Sequence, residues 1–201
     1  TPTVREMFRR LTPNMNFGLR FVMANLWLFE GLLVKLLPSI SSAAGAMIRT
    51  TLAFTTAKGS DGLNVLPQEA YVTGNMRFIH HQPNAESLKI IADMAAKYDI
   101  ETEVIYQDDP CPVVTFDSDA FRLIEEVAGE IYPGIGICPY VMTGGTVSKY
   151  YADVCDNCIR FAPIVYGPEE KKGIHGTNEA LGYDCLPGAV DFYKNLITDN
   201  Q

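Results

Sequence analysis

The sequence predicts an α/β protein in which a helical N-terminal third leads into an antiparallel sheet and then into alternating helices and strands. Three patterns support this fold class. Apolar residues recur at helical spacing before Pro38, residues 69–79 alternate as in a strand, and helix and strand patterns alternate after an acidic, proline-containing stretch at 107–112. The chain has 201 residues, of which 47% are hydrophobic and 20% charged, as expected for a soluble globular protein of one or two domains.

The N-terminal third is predicted to contain two helices. Val4–Leu11 has an amphipathic pattern, and Pro13 then interrupts the helix. A longer helix is expected over Met15–Leu37, ending at Pro38. Trp27 lies in this second helix, and we expect it to pack against a sheet rather than to form a platform for a ligand.

A sheet follows these helices. Met47–Thr56 and Glu69–Ile79 are predicted strands because they combine β-branched and aromatic residues with alternation. Asn84 can cap a helix over Ala85–Tyr98. A strand at Glu101–Tyr106 would complete a β-β-α-β run.

The stretch at 107–112 is the best domain boundary, and the residues after it are predicted to alternate between helix and strand. The expected elements are a helix over Asp119–Ile131, a strand at Ile137–Met142, a glycine turn with a short helix to Tyr151, a strand at Cys158–Pro163, the loop around His175, and a helix over Pro187–Ile197. The charged run 169–172 is interpreted as a solvated loop.

Composition excludes some partners. The net charge of −8 and the lack of a basic stripe argue against nucleic acid, because phosphate binding depends on Lys and Arg. The most apolar stretch, Phe21–Phe29, is too short for a transmembrane helix, which needs about 20 apolar residues, so no membrane partner is expected. Five cysteines without disulfide-framework spacing favour a reducing, cytoplasmic location. Cys155 and Cys158 have the spacing of half a zinc ribbon, but without a second pair we interpret them as core or loop thiols.

His175 is the strongest candidate for a metal ligand. Glycines at 173 and 176 allow the backbone to approach a bulky group, and Glu179 follows four residues later. A catalytic zinc site generally takes about three protein ligands and keeps one position open. The sequence offers one such ligand, so His175 lacks recognisable partners.

Asn75, Arg77 and His80 form a second group of candidates. Asn75 and Arg77 lie two apart on an alternating strand and share a face, and a guanidinium can bind a carboxylate through two hydrogen bonds. Arg77 could instead be an exposed cross-strand charge. His80 and His81 are either a surface pair or donors directed at a substrate oxygen.

The turn Gly144-Gly145 could let a ligand approach the backbone closely, because glycine has no side chain. Thr143 and Thr146 add a hydroxyl on either side of this turn. A purely structural turn is the alternative. The turn lacks the lysine and the spacing of a phosphate-binding loop.

Several stretches occur in a characteristic order along the chain. They are Asn25–Phe29, Arg49–Thr51, Asn64–Ala70, Asn75–Arg77, Thr143–Thr146, Arg160–Pro163 and Ile174–Glu179. In this order the chain resembles the C-terminal portion of the M20 metallopeptidases, in the branch of carboxypeptidase-like and N-acyl-amino-acid hydrolases. The resemblance extends from about Met15 to the end of the chain.

This resemblance implies two domains. Residues 1–107 would be a lid or dimerisation domain lacking its first strand, with an antiparallel sheet and helices on one face. Residues 108–201 would be the C-terminal segment of an α/β zinc-hydrolase catalytic domain. It further implies two zinc ions per chain, a glutamate general base, an amide substrate with a free carboxylate (a short peptide or an N-acyl amino acid), and a homodimer formed through the lid.

The resemblance also assigns roles to residues. His175 matches the last metal ligand of such sites. The positions that match or lie near substrate-binding ones are Asn75, Arg77, Gly144, Gly145, Thr146, Lys149 and, more loosely, His80. The general base and the other ligands are expected upstream of Thr1, so no catalytic residue is assigned here, and we expect this chain alone to be inactive and its metal site to be empty.

The sequence departs from the family pattern after the glycine turn. Where relatives commonly read Thr-Asp-x-Arg-His, this chain reads Thr146-Val147-Ser148-Lys149-Tyr150. Val147 removes an acid, and Lys149 replaces a planar guanidinium with a point charge. These departures favour an alternative, in which the chain is a non-catalytic dimerisation or ligand-binding module from a degenerate relative.

Overall fold

The computed structural model describes residues 1–198 and confirms the mixed α/β class. The helices are α1 (Pro2–Leu11), α2 (Phe17–Ala24), α3 (Leu26–Ile40), α4 (Ser42–Ala46), α5 (Asn84–Ala96), α6 (Asp119–Ile131), α7 (Pro168–Gly173) and α8 (Leu186–Thr198). The strands are β1 (Thr51–Lys58) and β2 (Tyr71–Arg77). Short 3-10 helices lie at Thr12–Asn14, Val147–Tyr151 and Tyr183–Cys185.

The long helix predicted over 15–37 is divided, and Pro38 does not end it. The helix breaks at Asn25, and α3 continues through Pro38 to Ile40. Pro38 has no N–H to donate to the carbonyl four residues earlier, and α3 ends two residues after it, at Ile40. Gly45 of α4 packs closely on it, since a Cβ at Gly45 would lie 3.0 Å from Pro38 Cα.

The sheet consists of β1 and β2, which pair antiparallel from Thr51↔Arg77 to Lys58↔Tyr71. The register is irregular between Phe54 and Thr56, as in a β-bulge. The strands are shorter than predicted at the end near Arg77, where a bond to the Thr50 hydroxyl replaces the backbone ladder. Thr50 Oγ1 accepts a hydrogen bond from the Ile79 backbone N–H at 3.1 Å.

Three predicted strands are not formed within residues 1–198, and those predictions were wrong. Residues 101–106, 137–142 and 158–163 have no strand partner and remain irregular. Alternation and β-branched residues favour an extended chain, but a strand also needs a neighbouring backbone that satisfies its N–H and C=O groups.

Two details of the helices also differ from prediction. Asn84 is the first residue of α5 rather than its cap, and Pro83 occupies the cap position. The run 169–172, interpreted as a loop, lies in α7. Proline at the first helical position, acids in the first turn and lysines in the last turn suit a helix and its dipole.

The described residues divide into two compact units. The first comprises Thr1, Asn25–Cys111 and Val141–Gly144; the second comprises Pro2–Ala24, Pro112–Tyr140 and the described residues from Gly145 onward. One change of unit falls at Cys111–Pro112, within the stretch 107–112. The assignment of residues 1–107 and 108–201 to a lid and a catalytic domain stays a prediction.

The core of the second unit lies where α6 packs against α8. Phe192, Val127 and Ala128 are fully or almost fully buried there, and the partly buried residues around them are Leu123, Ile124, Ile131, Ile137 and Leu196. The Phe192 ring lies 5.0 Å from the Phe161 ring between centroids. An ion-pair network joins α1 to α6, because Arg10 binds both Glu6 and Glu125.

Many large apolar side chains are exposed among residues 1–198, and several of them lie in α3. In α3 no residue is buried, and Trp27 is 80% exposed, so the prediction that it packs on a sheet was wrong. The reason is that α3 packs mainly against the short helix α4.

Within residues 1–198, no single helix is long and apolar enough to cross a bilayer, although α2 and α3, which are bent by 108° at their break, together have the required length and composition.

Candidate functional site

Asn75 and Arg77 share a face of β2, as predicted. They pair with Ala53 and Thr51 of β1, in the regular part of the ladder, so the bulge does not disturb their alternation. Both side chains are exposed. The strand therefore presents an amide and a guanidinium side by side to solvent.

Arg77 is joined to the glycine turn. Its Nη1 donates a hydrogen bond of 2.6 Å to the Thr143 carbonyl oxygen, across 66 residues of sequence. A Cβ on Gly144 would lie 3.8 Å from the same nitrogen, an ordinary contact. Two features that the sequence offered separately, the strand arginine and the start of the glycine turn, thus meet in the first unit.

The glycines of the turn are not required by backbone conformation. Neither Gly144 nor Gly145 has a left-handed φ, whereas Gly134 has φ +82°. A Cβ at Gly145 would have no neighbour within 4 Å. The space beside this backbone is open, which is compatible with close approach of a ligand.

Thr146 and Lys149 belong to the second unit, in and beside the 3-10 helix Val147–Tyr151. Thr146 Oγ1 caps this helix by accepting from the Ser148 N–H at 3.3 Å. Lys149 Nζ lies 5.0 Å from the centroid of the Tyr150 ring, within cation–π range. These side chains have local structural roles, and their predicted role in substrate binding stays a prediction.

His80 follows β2 and is exposed, with its ring edge-on to His81 at 5.9 Å between centroids. Partial desolvation lowers the pKa of His80, and its electrostatic interaction with the neighbouring His81 lowers it further. The imidazole is therefore neutral at pH 7 and can donate one hydrogen bond and accept another.

His175 lies in a tight loop of the second unit. It is exposed and adopts φ +59°, and Asn178 adopts φ +61°. The His175 backbone N–H donates to Glu179 Oε2 at 3.1 Å. Gly176 is confined, because a Cβ there would lie 3.2 Å from the Gly173 carbonyl oxygen. The acid that the sequence placed four residues after His175 thus orders the loop, a role that sequence reasoning missed.

The side chains of the chain alone do not fit a zinc site. Within residues 1–198 no three His, Cys, Asp or Glu side chains are grouped so that they could hold a metal ion. Cys158 Sγ lies 3.2 Å from the Cys155 carbonyl oxygen, and none of the five cysteines, all of which fall in the described part, forms a disulfide. No catalytic step can therefore be assigned to a metal held by these residues.

Comparison with known proteins identifies the family. Residues 12–199 match the model of peptidase family M20/M25/M40. The N-fatty-acyl-amino acid synthase/hydrolase of Xenopus tropicalis is 32% identical over 198 residues, which cover 98% of this chain and 38% of that protein. The human protein of the same name is 30% identical, over 97% of this chain and 39% of that protein.

A relative with a different printed activity is also similar. The probable carboxypeptidase S-like 2 of Dictyostelium discoideum is 28% identical over 100% of this chain and 39% of its own length. The chain thus spans well under half the length of these relatives. No solved structure matches it. On the match across residues 12–199 and the identity to these relatives, the chain belongs to peptidase family M20/M25/M40.

Proposed function

We propose that this chain is the substrate-holding part of a zinc-dependent hydrolase that cleaves an amide bond next to a free carboxylate. The substrate would be a short peptide or an N-acyl amino acid. The observation that carries the proposal is the contact between Arg77 and the Thr143 carbonyl, in a chain of this peptidase family. The relatives support both substrate types, since their names describe fatty-acyl amino acids and carboxypeptidase activity.

The residues of the chain would bind rather than cleave. Arg77 would bind the carboxylate, Asn75 would add an amide donor from the same face of β2, and His80 would offer a neutral imidazole N–H. The open space beside Gly145 would receive part of the substrate close to the backbone. Burying a substrate carboxylate without such partners would be costly, so these groups would select for the free acid.

Zinc dependence is part of the proposal. His175 would supply one ligand, and the other ligands and the general base would have to come from elsewhere in the protein, because residues 1–198 do not complete a site. The relatives, of which this chain covers 38% to 39%, have room for them. When bound, the metal would supply a Lewis acid and an activated water.

The test uses the protein expressed from its complete reading frame and loaded with zinc. We expect about two zinc ions per chain by elemental analysis, and hydrolysis of an N-acyl amino acid in preference to the same compound with its carboxylate blocked as an amide. His175→Ala should lower both metal content and hydrolysis, whereas Arg122→Ala, which changes an exposed arginine of α6, should leave both unchanged. A protein that hydrolyses the substrate at full rate with His175→Ala would contradict the assignment of His175.

The second candidate function is a non-catalytic dimerisation or ligand-binding module. It is favoured by Val147, which is 71% exposed at the position where relatives commonly have an acid. The same zinc experiment separates the two candidates. A complete protein that stays metal-free after zinc loading, yet binds an N-acyl amino acid, would support the module and exclude the hydrolase.

A homodimer formed through the lid and a cytoplasmic location are further parts of the proposal. Dimer formation is supported by the strands, because β1 and β2 each have one neighbour within residues 1–198 and leave an edge open. Light scattering tests the first point, and a monomer at high micromolar concentration would contradict it. Fractionation of cells that make the complete protein tests the second.

A further inference from the structure

We infer that Arg77 is a positioning residue for the glycine turn, in addition to the carboxylate-binding role proposed above. One nitrogen, Nη1, holds the Thr143 carbonyl, and the edge formed by Nε and Nη2 is left for the substrate. The positioning role rests on the structure alone. The second role rests on the proposed function.

The backbone of the glycine turn forms few hydrogen bonds with the rest of the described residues. Residues 141–144 have no helix or strand, and within residues 1–198 their backbone makes no hydrogen bond other than the one from Arg77. These residues nevertheless belong to the same compact unit as β2, although the residues on either side of them belong to the other unit. A charge-assisted bond of 2.6 Å from a paired strand is the contact that can order such a segment.

Gly144 and Gly145 do not fix the conformation of the turn by themselves. Neither Gly144 nor Gly145 has a left-handed φ or a side chain that could pack, and an added Cβ would lie 3.8 Å from Arg77 Nη1 at Gly144 and would meet nothing within 4 Å at Gly145. Glycine is the residue with the greatest backbone freedom. An external tether is therefore needed to hold this backbone in one conformation, and Arg77 supplies it.

The remaining edge of the Arg77 guanidinium, formed by Nε and Nη2, can bind a carboxylate. Arg9 of the same chain shows what that edge does: its Nε and Nη2 donate to the two oxygens of Glu6, each at 2.6 Å. The Arg77 side chain makes no other hydrogen bond within residues 1–198, so its Nε and Nη2 retain this capacity. One planar side chain can thus hold a backbone carbonyl and a carboxylate together, whereas a lysine ammonium is a single point of charge.

The experiment compares Arg77→Ala, Arg77→Lys and a control, Arg122→Ala, in the protein expressed from its complete reading frame. Arg122 is an exposed arginine whose ion pair, with Asp119 at 3.1 Å, lies within one helix. Limited digestion with a nonspecific protease, followed by mass spectrometry, measures cleavage within residues 141–146 relative to cleavage elsewhere. The second readout is the ratio of kcat/KM for an N-acyl amino acid to that for its amide.

Arg77→Ala should raise relative cleavage of the turn severalfold and abolish the preference for the acid. Arg77→Lys should protect the turn more than alanine does, yet lower the acid preference about tenfold or more, because one charged hydrogen bond is lost. Arg122→Ala should change neither measurement.

The outcomes are decisive for each role. Unchanged relative cleavage in Arg77→Ala would overturn the positioning role, and so would a rise in proportion to cleavage everywhere, which reports general unfolding. A wild-type acid preference in Arg77→Lys would overturn the role of the second edge. If cleavage of the turn rises in Arg77→Ala while the wild-type protein hydrolyses neither compound, the positioning role is supported and the proposed function is rejected.

Discussion

Gly145→Ala separates a structural from a functional explanation of the glycine turn. A glycine in a turn is usually required because its φ is left-handed or because a side chain would collide with a neighbour. Neither reason holds for Gly145, whose φ is ordinary and whose added Cβ would have no heavy atom within 4 Å. If the turn were only structural, alanine should be accepted there without cost.

Gly145→Ala is expected to raise the stability of the fold and to lower kcat/KM. Replacing glycine with alanine at a compatible position restricts the unfolded chain, so the free energy of unfolding should rise by about 0.4–1 kcal/mol. If a substrate occupies the open space beside Gly145, the methyl group collides with it instead. Overpacking of that kind costs about 1–3 kcal/mol, which corresponds to a loss of roughly fivefold to 150-fold in kcat/KM.

Gly129→Ala is the matched control. Gly129 lies inside α6, is exposed, and likewise has no neighbour within 4 Å of an added Cβ. It should stabilise the protein by up to about 1 kcal/mol through helix propensity and leave hydrolysis unchanged. Urea unfolding and steady-state kinetics on both variants provide the measurements. If Gly145→Ala keeps full kcat/KM while it stabilises the fold, the turn does not receive substrate, and if it destabilises the fold, the interpretation of the local backbone is wrong.

Three further predictions concern the second unit. Phe192→Ala should lower the free energy of unfolding by about 3–5 kcal/mol, because a side chain that is 1% exposed leaves a cavity in the core; urea unfolding measures it, and a loss below 1 kcal/mol would contradict this core. Gly134→Ala, at φ +82°, should cost about 1–2 kcal/mol, in contrast to Gly129→Ala in the same assay. Hydrogen bonds from Arg9 and Arg10 lower the pKa of Glu6 from 4.5 to about 2. The stabilisation that ionised Glu6 contributes is therefore complete above about pH 4.5 and is lost as the pH falls through 2. Glu6→Gln should remove on the order of 1 kcal/mol from the acid dependence of the free energy of unfolding, and an unchanged profile of stability against pH would refute this prediction.

Helices were predictable where local signals sufficed. The predicted bounds of α6, Asp119–Ile131, match the structure, because Ser118 caps its first turn and apolar residues recur on one face. The end of α3 was not predictable from Pro38 alone. A proline removes one backbone hydrogen bond to the residue four positions earlier but does not always end a helix at the preceding residue, and α3 continues two residues beyond Pro38.

Strands were less predictable because they depend on partners. β1 and β2 lie close together in sequence, so each supplies the other's ladder, and both were found from pattern. Residues 101–106, 137–142 and 158–163 have similar composition but no partner within the described residues. The sequence of one segment contains its propensity, while its pairing is a property of the surrounding fold.

The candidate site also combines a feature that the sequence predicts with a contact that only the fold reveals. That Asn75 and Arg77 share a face follows from strand period alone, and the structure agrees. The hydrogen bond from Arg77 to Thr143 joins residues 66 apart and could not be read from either motif. The sequence named the groups that carry charge and freedom, and only the fold could state which of them meet.

His175 shows how such a contact changes the meaning of a motif. Its flanking glycines suggested room for a bulky group, yet Gly176 is confined by the Gly173 carbonyl, and the glycines serve the tightness of the loop. His175 itself takes the left-handed conformation, which costs a residue with a Cβ about 1–2 kcal/mol, and the bond from its N–H to Glu179 offsets part of this. Such strain is characteristic of functional sites, where the fold imposes an orientation that the chain would not choose. Asp99 and Asn178 are also left-handed, so the conformation alone does not assign a role, and His175 as a metal ligand stays a prediction that the zinc content of His175→Ala tests.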